Sequence, residues 1–275
     1  MIPVLLLLLA GCSGSDTVSS IDGVPIAFEK TGQGETTLVL VHGWSCDQTY
    51  WREQVSALSD SFTIVTLDLA GHGASGLSRT NYTMPAFGAD VAAVVAALDL
   101  HNVYLVGHSM GGSVIVEAAR LLPQRVVGLI GIDTLHEPGF SFTVEQVDGF
   151  VGSLQEDFQT SAQQFAASMF PADADTALVR LVSTDMGSAP PEVALSAMRN
   201  LLLHDLRPAL NELKVPLWCL DSNQNPIDFQ GWKFYQPGYT AVVMQGVGHF
   251  LFLEKPTEFN EEFVKLIERM AAHKQ

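Results

Sequence analysis

Six short apolar runs, spaced along most of the chain, limit what this sequence can fold into more than any other feature. Each run has four to seven residues and stops just before a polar residue or a glycine. Continuous runs of this kind are typical of strands that are buried on both faces of a parallel sheet. The runs occupy residues 38–41, 62–67, 103–106, 126–132, 215–220 and 240–244. Ahead of them, residues 21–29 contain an Asp-Gly turn, which predicts an antiparallel hairpin at the sheet edge.

Helical patterns separate these strands, with apolar residues recurring at helical spacing over residues 50–58, 84–98, 113–122 and 256–270. The alternation predicts an α/β fold, with a mostly parallel sheet covered by helices on both faces. Residues 136–212 break the alternation and are too long for a plain connection. They carry further helical patterns at 144–150, 161–169, 174–182 and 192–203. We therefore predict a helical cap at 136–212, inserted after the sixth strand into a core made of residues 20–135 and 213–275.

The composition excludes two broad classes of protein. The chain of 275 residues has 14 Lys and Arg against 30 Asp and Glu, a net charge of −16. So acidic a protein, with no basic stripe, repels a phosphate backbone, and we predict no nucleic-acid partner. Hydrophobic residues make up 47% and charged residues 16%, which excludes wholesale disorder.

The chain begins with an apolar segment that is too short to span a bilayer, which needs about 20 apolar residues. It predicts a signal peptide over residues 1–11, followed by a flexible tether over 12–19. Residues 9–12 read Leu-Ala-Gly-Cys and resemble the lipobox of bacterial lipoproteins, which implies that Cys12 is lipidated. No Lys or Arg precedes the leucines, which a wrongly assigned start codon would explain.

The lipobox resemblance also implies a location. The protein would be exported to the bacterial cell envelope and would contact a membrane through its lipid anchor only. Ser13 after the cysteine implies the outer membrane in a Gram-negative host.

Residues 107–111 read Gly-His-Ser-Met-Gly and lie between a predicted strand and a predicted helix. This is the setting in which G-x-S-x-G forms a nucleophile elbow, with the serine on a sharp, strained turn that exposes its hydroxyl. Glycine on either side of Ser109 removes side chains that would collide with the turn. The helix that follows directs its positive end and the Met110 amide towards a developing oxyanion. We therefore predict that Ser109 is a nucleophile.

Four motifs together resemble the α/β-hydrolase fold family: the elbow, residues 42–44 (His-Gly-Trp), residues 68–75, and residues 248–250 (Gly-His-Phe). The resemblance covers nearly everything from residue 20 to 272 and implies an eight-stranded, mostly parallel sheet. In members with this His-Gly-x loop, the backbone amide of x donates to the oxyanion, which maps to Trp44. The Trp44 indole would then line the substrate pocket. His249, in the loop after the last strand, would accept the serine proton and pass it to the leaving group.

The carboxylate that should accompany His249 is less clearly marked. The resemblance places an acid after the seventh strand at Asn225, but an amide cannot stabilise an imidazolium ion. Asp133 is the preferred candidate, because it ends the sixth strand and catalytic groups gather at the carboxyl ends of parallel strands. Some family members carry the acid there. Asp221, Asp228, and a site that is built on Asn225 or lacks an acid remain alternatives.

The remaining motifs predict neither a metal ion nor a cofactor. The sequence has no H-E-x-x-H and no Cys/His spacing typical of a zinc site, and no G-x-G-x-x-G follows a strand. His108, inside the elbow, is a candidate substrate-binding residue beside Trp44, although its position also suits packing. His136 and His204 flank or lie in the predicted cap and are candidates to line its entrance.

These residues favour a serine hydrolase that cleaves carboxylic esters of small molecules through an acyl-enzyme. Serine at the nucleophile position argues against the branches of the fold that use an aspartate. Lactonase, carbon–carbon hydrolase, peptidase and perhydrolase activities stay open, because the cap sequence rather than the triad decides among them. From a different class, a surface-anchored binding protein without turnover is the alternative, supported by Asn225. The sequence does not indicate an oligomeric state.

Overall fold

A computed structural model of the protein describes residues 16–139 and 142–272. Within these ranges the chain forms eight strands: β1 (Asp16–Ser19), β2 (Pro25–Thr31), β3 (Thr37–Val41), β4 (Thr63–Leu67), β5 (Val103–His108), β6 (Val126–Ile132), β7 (Leu217–Ser222) and β8 (Thr240–Met244). The predicted signal peptide, Cys12 and the first part of the predicted tether lie outside the described residues.

The strands pair into one sheet in the order β1-β2-β4-β3-β5-β6-β7-β8. Strand β2 is antiparallel to both of its neighbours, and every other pair is parallel. The predicted eight-stranded, mostly parallel α/β architecture is therefore confirmed. All six apolar runs form strands, and β3 and β4 are buried along their whole length, as continuous apolar runs require.

One boundary differs from its prediction. Residues 16–19, predicted as part of a flexible tether, form β1, which pairs with β2 in the register Thr17 to Ala27 and Val18 to Ile26. The predicted Asp-Gly turn does connect the two strands of a hairpin, but its first strand lies earlier than expected. Backbone pairing with β2, together with packing of Val18 against the core, orders this short polar stretch.

The helices are α1 (Arg52–Leu58), α2 (Met84–Ala97), α3 (Met110–Leu121), α4 (Val144–Glu156), α5 (Phe158–Ser168), α6 (Thr176–Met186), α7 (Pro191–Leu202), α8 (Arg207–Glu212), α9 (Phe229–Tyr235), α10 (Leu251–Glu254) and α11 (Pro256–Ala272), and a 3₁₀ turn at Gln48–Trp51 precedes α1. Local signals set several of their ends. The Thr83 hydroxyl accepts from the Ala86 amide at the start of α2, and Thr143 and Gln146 form a capping box at the start of α4. In the described ranges, no helix is both long enough and apolar enough to cross a bilayer.

Helices α4 to α8 occupy the segment between β6 and β7, and two of them, α6 and α7, bond to residues that follow β3. The Trp44 indole, just after β3, donates to the Ala194 carbonyl of α7 at 2.7 Å. The Tyr50 hydroxyl donates to the Asp185 carboxylate of α6, also at 2.7 Å. The loop after β3 follows a carboxyl strand end, so the helical segment lies over the edge of the sheet where functional groups collect in parallel folds.

Candidate active site

Ser109 lies on a strained turn between β5 and α3. Its backbone has φ 52° and ψ −117°, a combination that costs a non-glycine residue about 1–3 kcal/mol and persists only where the surroundings enforce it. A Cβ at Gly107 would overlap the Gly111 carbonyl oxygen, and a Cβ at Gly111 would lie 2.7 Å from the Val41 carbonyl oxygen. The Thr134 hydroxyl donates to the Ser109 carbonyl at 2.7 Å and holds the turn from the β6 side. This is the conformation that the elbow motif predicts.

The loop after β3 passes directly beside the elbow. A Cβ placed on Gly43 would lie 2.8 Å from Nδ1 of His108 and 3.3 Å from the Ser109 Cβ, so glycine lets the loop approach the elbow without these collisions. Burial lowers the pKa of His42 to about 4, which keeps its ring neutral. Its Nδ1 then donates to the Gly43 carbonyl at 2.8 Å, while Nε2 accepts from the Leu69 amide at 3.0 Å. Because the C=O and N–H of a trans peptide point in opposite directions, the bond to Gly43 also fixes the direction of the Trp44 N–H.

The Asp133 carboxylate contacts the His249 imidazole. Nδ1 of His249 lies 2.6 Å from Oδ2 of Asp133, and Oδ1 of Asp133 accepts from the Ser222 amide at 2.7 Å. Burial works to raise the pKa of Asp133, but the imidazoles of His136 and His249 and the Ser222 amide outweigh it and hold that pKa well below its usual value. Asp133 is therefore ionised, and an ionised acceptor favours the tautomer of His249 that carries its proton on Nδ1.

The alternative acids are engaged elsewhere. Oδ1 of Asp221, at the end of β7, accepts from the Thr134 amide at 3.2 Å. Asp228 caps α9 by accepting from the Gly231 amide at 2.9 Å. Asn225, at the position where the family resemblance places an acid, lines the same cavity as Ser109 and His249. Asp133, Asp221 and His136 come close enough together to hold a cation.

Three groups hold the backbone around His249, and sequence reasoning identified none of them in this role. Nε2 of His108 donates to the His249 carbonyl at 3.0 Å, and burial keeps the His108 pKa well below its usual value, so that its ring stays neutral. The His249 amide donates to the Met169 carbonyl at 3.0 Å. The Glu254 carboxylate accepts from the Gly248 amide at 2.9 and 3.0 Å. The ring of His108 lines the cavity, but its polar edge orients the histidine loop.

The cavity beside Ser109 and His249 has two lobes, and these two residues line both of them. The inner lobe has a volume of about 420 Å³, and its apolar lining residues include Trp44, Phe165, Met169, Met186 and Met198. The Trp44 indole stands edge-on to Phe165 at 5.9 Å between ring centroids. Thus Trp44 lies where the sequence placed it, against the pocket.

The outer lobe has a volume of about 560 Å³ and a different character. Its ionisable lining residues include His136, Glu137 and His204. The two histidines therefore line the cavity, as proposed from their positions near the predicted cap. The two lobes therefore differ in charged lining residues: Asp133 and Glu137 line the outer lobe, whereas no Asp, Glu, Lys or Arg of the described residues lines the inner lobe.

The chain is similar to known proteins in sequence and in fold. The sequence pattern described as "Alpha/beta hydrolase family" matches residues 38–262. The Karrikin insensitive 2 receptor CA of Petunia hybrida is 24% identical over 240 residues, which are 82% of this chain and 89% of that protein. The pimeloyl-(acyl-carrier protein) methyl ester esterase of Pectobacterium carotovorum is 28% identical over 253 residues, 86% of this chain and 96% of the esterase. Among solved structures, the esterase EaEST from Exiguobacterium antarcticum superposes with a TM-score of 0.83 at 22% identity, covering 93% of this chain and 100% of that one, which shows a shared fold.

Proposed function

Because the chain belongs to the alpha/beta hydrolase family, we propose that it is a serine hydrolase that cleaves carboxylic esters through an acyl-enzyme. Ser109 is the nucleophile, His249 the general base and then the general acid, and Asp133 the carboxylate that orients the imidazole and balances its charge. The observation that carries the proposal is the 2.6 Å contact between His249 and Asp133, in a cavity that Ser109 also lines.

The steps follow from these positions. Oγ of Ser109 attacks the ester carbonyl carbon while Nε2 of His249 accepts the hydroxyl proton, and the imidazolium that forms donates from Nδ1 to Asp133. The backbone amides of Trp44 and Met110 stabilise the oxyanion, each contributing about 3–4 kcal/mol. His249 then protonates the departing alkoxide, which leaves as an alcohol. A water molecule attacks the acyl-enzyme by the same steps, releasing the carboxylic acid and restoring Ser109.

The inner lobe favours an ester with an uncharged, apolar acyl group. Among the described residues that line it there is no Asp, Glu, Lys or Arg, so a charged acyl group would be desolvated there without a partner. Three methionines give this lobe an adaptable surface. Helices α5, α6 and α7, or residues beside them, supply Phe165 and all three methionines, so in this proposal the predicted cap selects the acyl group.

A matched pair of substrates tests the reaction and its selectivity together. The purified protein should hydrolyse p-nitrophenyl butyrate and act at least tenfold less efficiently on p-nitrophenyl hemisuccinate, in which a carboxylate replaces the terminal methyl group of the acyl chain. Ser109→Ala should reduce release of p-nitrophenol to the background rate. Equal kcat/KM for the two esters would contradict the assignment of the inner lobe, and hydrolysis that survives Ser109→Ala would contradict the mechanism.

A ligand-binding protein without turnover is the second candidate, since a protein named as a receptor is among the relatives. The substitution of Asn225 for the expected acid favoured this alternative, but Asp133 supplies the missing carboxylate at His249. The same ester assay separates the two candidates, because a binding protein would saturate with ligand and release no product. Cyclic esters present the same carbonyl chemistry, and γ- and δ-lactones belong in the substrate panel.

We also propose that the protein is exported and lipidated at Cys12. The support is the apolar segment that ends in Leu-Ala-Gly-Cys. Expression of the full chain in bacteria with labelled palmitate should give a labelled protein in the membrane fraction, and Cys12→Ala should remove the label. Unlabelled protein in the soluble fraction would contradict this proposal without affecting the hydrolase assignment.

A further inference from the structure

A second histidine approaches the carboxylate that orients His249. Nε2 of His136 lies 3.8 Å from Oδ1 of Asp133 and 3.8 Å from Oδ1 of Asp221. Both aspartate side chains are fully buried, whereas the His136 ring is 21% exposed and faces the outer lobe. The three groups come from the turn after β6 and from the end of β7, so the fold rather than a local motif brings them together.

These polar atoms converge without bonding one another. A separation of 3.8 Å is too long for a hydrogen bond. Among the described residues, Nε2 of His136 and Oδ2 of Asp221 have no hydrogen-bond partner. Leaving a buried polar atom unpaired costs about 1–3 kcal/mol. Two such atoms, on residues that approach each other to 3.8 Å, indicate that something outside the protein chain can occupy the space between these residues.

Two buried carboxylates face one histidine in this space. Asp133 also faces the His249 imidazole, and among the described residues the shortest ion-pair distance of Asp221 is its 3.8 Å approach to His136. A cation placed between the two carboxylates would offset the repulsion between their negative charges.

We propose that Asp133, His136 and Asp221 form a binding site for a divalent transition-metal ion of the zinc class. One imidazole and two carboxylates are a ligand set that Zn²⁺ accepts, with bonds of about 2.0–2.2 Å and a tetrahedral arrangement in which ligand atoms lie about 3.3 Å apart. The three candidate ligand atoms lie within 4.8 Å of one another. The two distances from Nε2 of His136 to the carboxylates are each 3.8 Å, about 0.5 Å longer than this tetrahedral spacing.

The hydrogen bonds already present are compatible with such an ion. Oδ1 of Asp133 accepts one amide, from Ser222, and Oδ1 of Asp221 accepts one, from Thr134. Each carboxylate oxygen therefore keeps a lone pair for the metal. The outer lobe, which His136 lines, supplies an access path and room for water as the fourth ligand.

Occupation of the site would inhibit the enzyme, a consequence that rests on the proposed function. The ion binds Oδ1 of Asp133 while Oδ2 holds His249, so it withdraws negative charge from the carboxylate that must stabilise the imidazolium. The site would act as an inhibitory switch sensitive to zinc.

Metal binding can be measured without any activity. The full Ser109→Ala protein, stripped with a chelator, is titrated with Zn²⁺ against a chromophoric chelator, and with Co²⁺, whose visible spectrum reports its coordination. We expect one ion per chain, and at least tenfold weaker binding in Ser109→Ala combined with His136→Ala or with Asp221→Asn. His204→Ala, which removes another histidine of the outer lobe, should bind as tightly as the parent protein, and circular dichroism checks that each variant is folded.

Equal affinity in the parent and in the His136→Ala variant, or no binding at all, would overturn the site. In the enzyme with Ser109 intact, Zn²⁺ should inhibit ester hydrolysis reversibly. The inhibition constant should be at least tenfold higher in His136→Ala. Each rate is compared with the metal-free rate of the same variant. Binding without inhibition would overturn the inhibitory role. Stoichiometric binding in a protein that hydrolyses no ester would support the site and contradict the proposed function.

Discussion

Replacing Asp133 with asparagine exchanges one carboxylate oxygen for an NH₂ group between two hydrogen-bond donors. In the native protein, Oδ2 faces Nδ1 of His249 at 2.6 Å and Oδ1 faces the Ser222 amide at 2.7 Å. An asparagine can satisfy only one of these two donors with its single oxygen. If the NH₂ group faces His249, the ring must carry its proton on Nε2, and it can then no longer accept the proton of Ser109.

The opposite orientation of the asparagine is no better for catalysis. Its NH₂ group then faces the Ser222 amide, donor against donor, which leaves a buried group unpaired at a cost of about 1–3 kcal/mol. In both orientations the imidazolium ion lacks a balancing charge. We expect kcat to fall about 10⁴-fold, the loss measured for the equivalent change in a serine protease triad, which corresponds to about 5.5 kcal/mol in the activation barrier. KM should change little, because the Asp133 side chain is fully buried.

The assay is the steady-state hydrolysis of p-nitrophenyl butyrate by the variant and by Asp228→Asn as the matched control. Asparagine at position 228 can still accept from the Gly231 amide and cap α9, so this control should keep kcat within about twofold of the wild type. A kcat of Asp133→Asn within tenfold of the wild type would refute the assignment of the acid. So would a collapse of activity in Asp228→Asn.

Three other variants test the surroundings of the site. Gly107→Ala places a Cβ on a backbone oxygen of the elbow, so it should reduce kcat by at least 100-fold and should also lower the melting temperature. The control Gly149→Ala places a Cβ where no atom lies within 4 Å and should leave kcat unchanged. Equal behaviour of the two variants would contradict the close packing of the elbow. Tyr50→Phe removes the hydroxyl that donates to the Asp185 carboxylate and should lower the free energy of unfolding by about 0.5–1.5 kcal/mol at pH 8. Burial is the main reason why the pKa of Asp185 is raised. As the pH falls and Asp185 becomes protonated, the charged acceptor of the Tyr50 hydroxyl is lost in the parent protein too, so the destabilisation should shrink. Chemical denaturation at pH 8 and at about pH 4 checks the sign. Glu254→Ala removes the acceptor of the Gly248 amide and should lower kcat at least tenfold with little change in KM. Glu254→Gln keeps an acceptor and should recover most of the rate. An unchanged kcat in Glu254→Ala would contradict this positioning role.

The sequence predicted the strands that carry an apolar pattern and missed β1, which carries none. Strands β3 and β4 are buried on both faces and read as continuous apolar runs. Strand β1 has the sequence Asp-Thr-Val-Ser and is mostly exposed, so backbone pairing with β2 rather than hydrophobic patterning forms it. Such a strand leaves no periodic signal in the chain.

The candidate site was predictable where local motifs encode it. The strained turn at Ser109 needs glycines at fixed offsets, and these stand in the sequence. The sequence alone could not rank Asp133 against Asp221 decisively, since each directly follows or ends an apolar strand. Their different contacts depend on a backbone turn at Asp133, with φ 44°, and on the Ser222 amide of the neighbouring strand. The supporting roles of His108 and Glu254 depend likewise on the path of a loop and have no sequence motif.

Covalent labelling reads the role of Ser109 directly. The purified protein is treated with a fluorophosphonate, which forms a stable adduct with an activated serine, and then analysed by intact mass and peptide mapping. We expect one adduct per chain, on Ser109, formed much more slowly in Asp133→Asn and at an unchanged rate in Ser113→Ala, which alters another serine lining the cavity. An adduct on a different residue, or ester hydrolysis that continues with Ser109 unlabelled, would contradict the proposed mechanism.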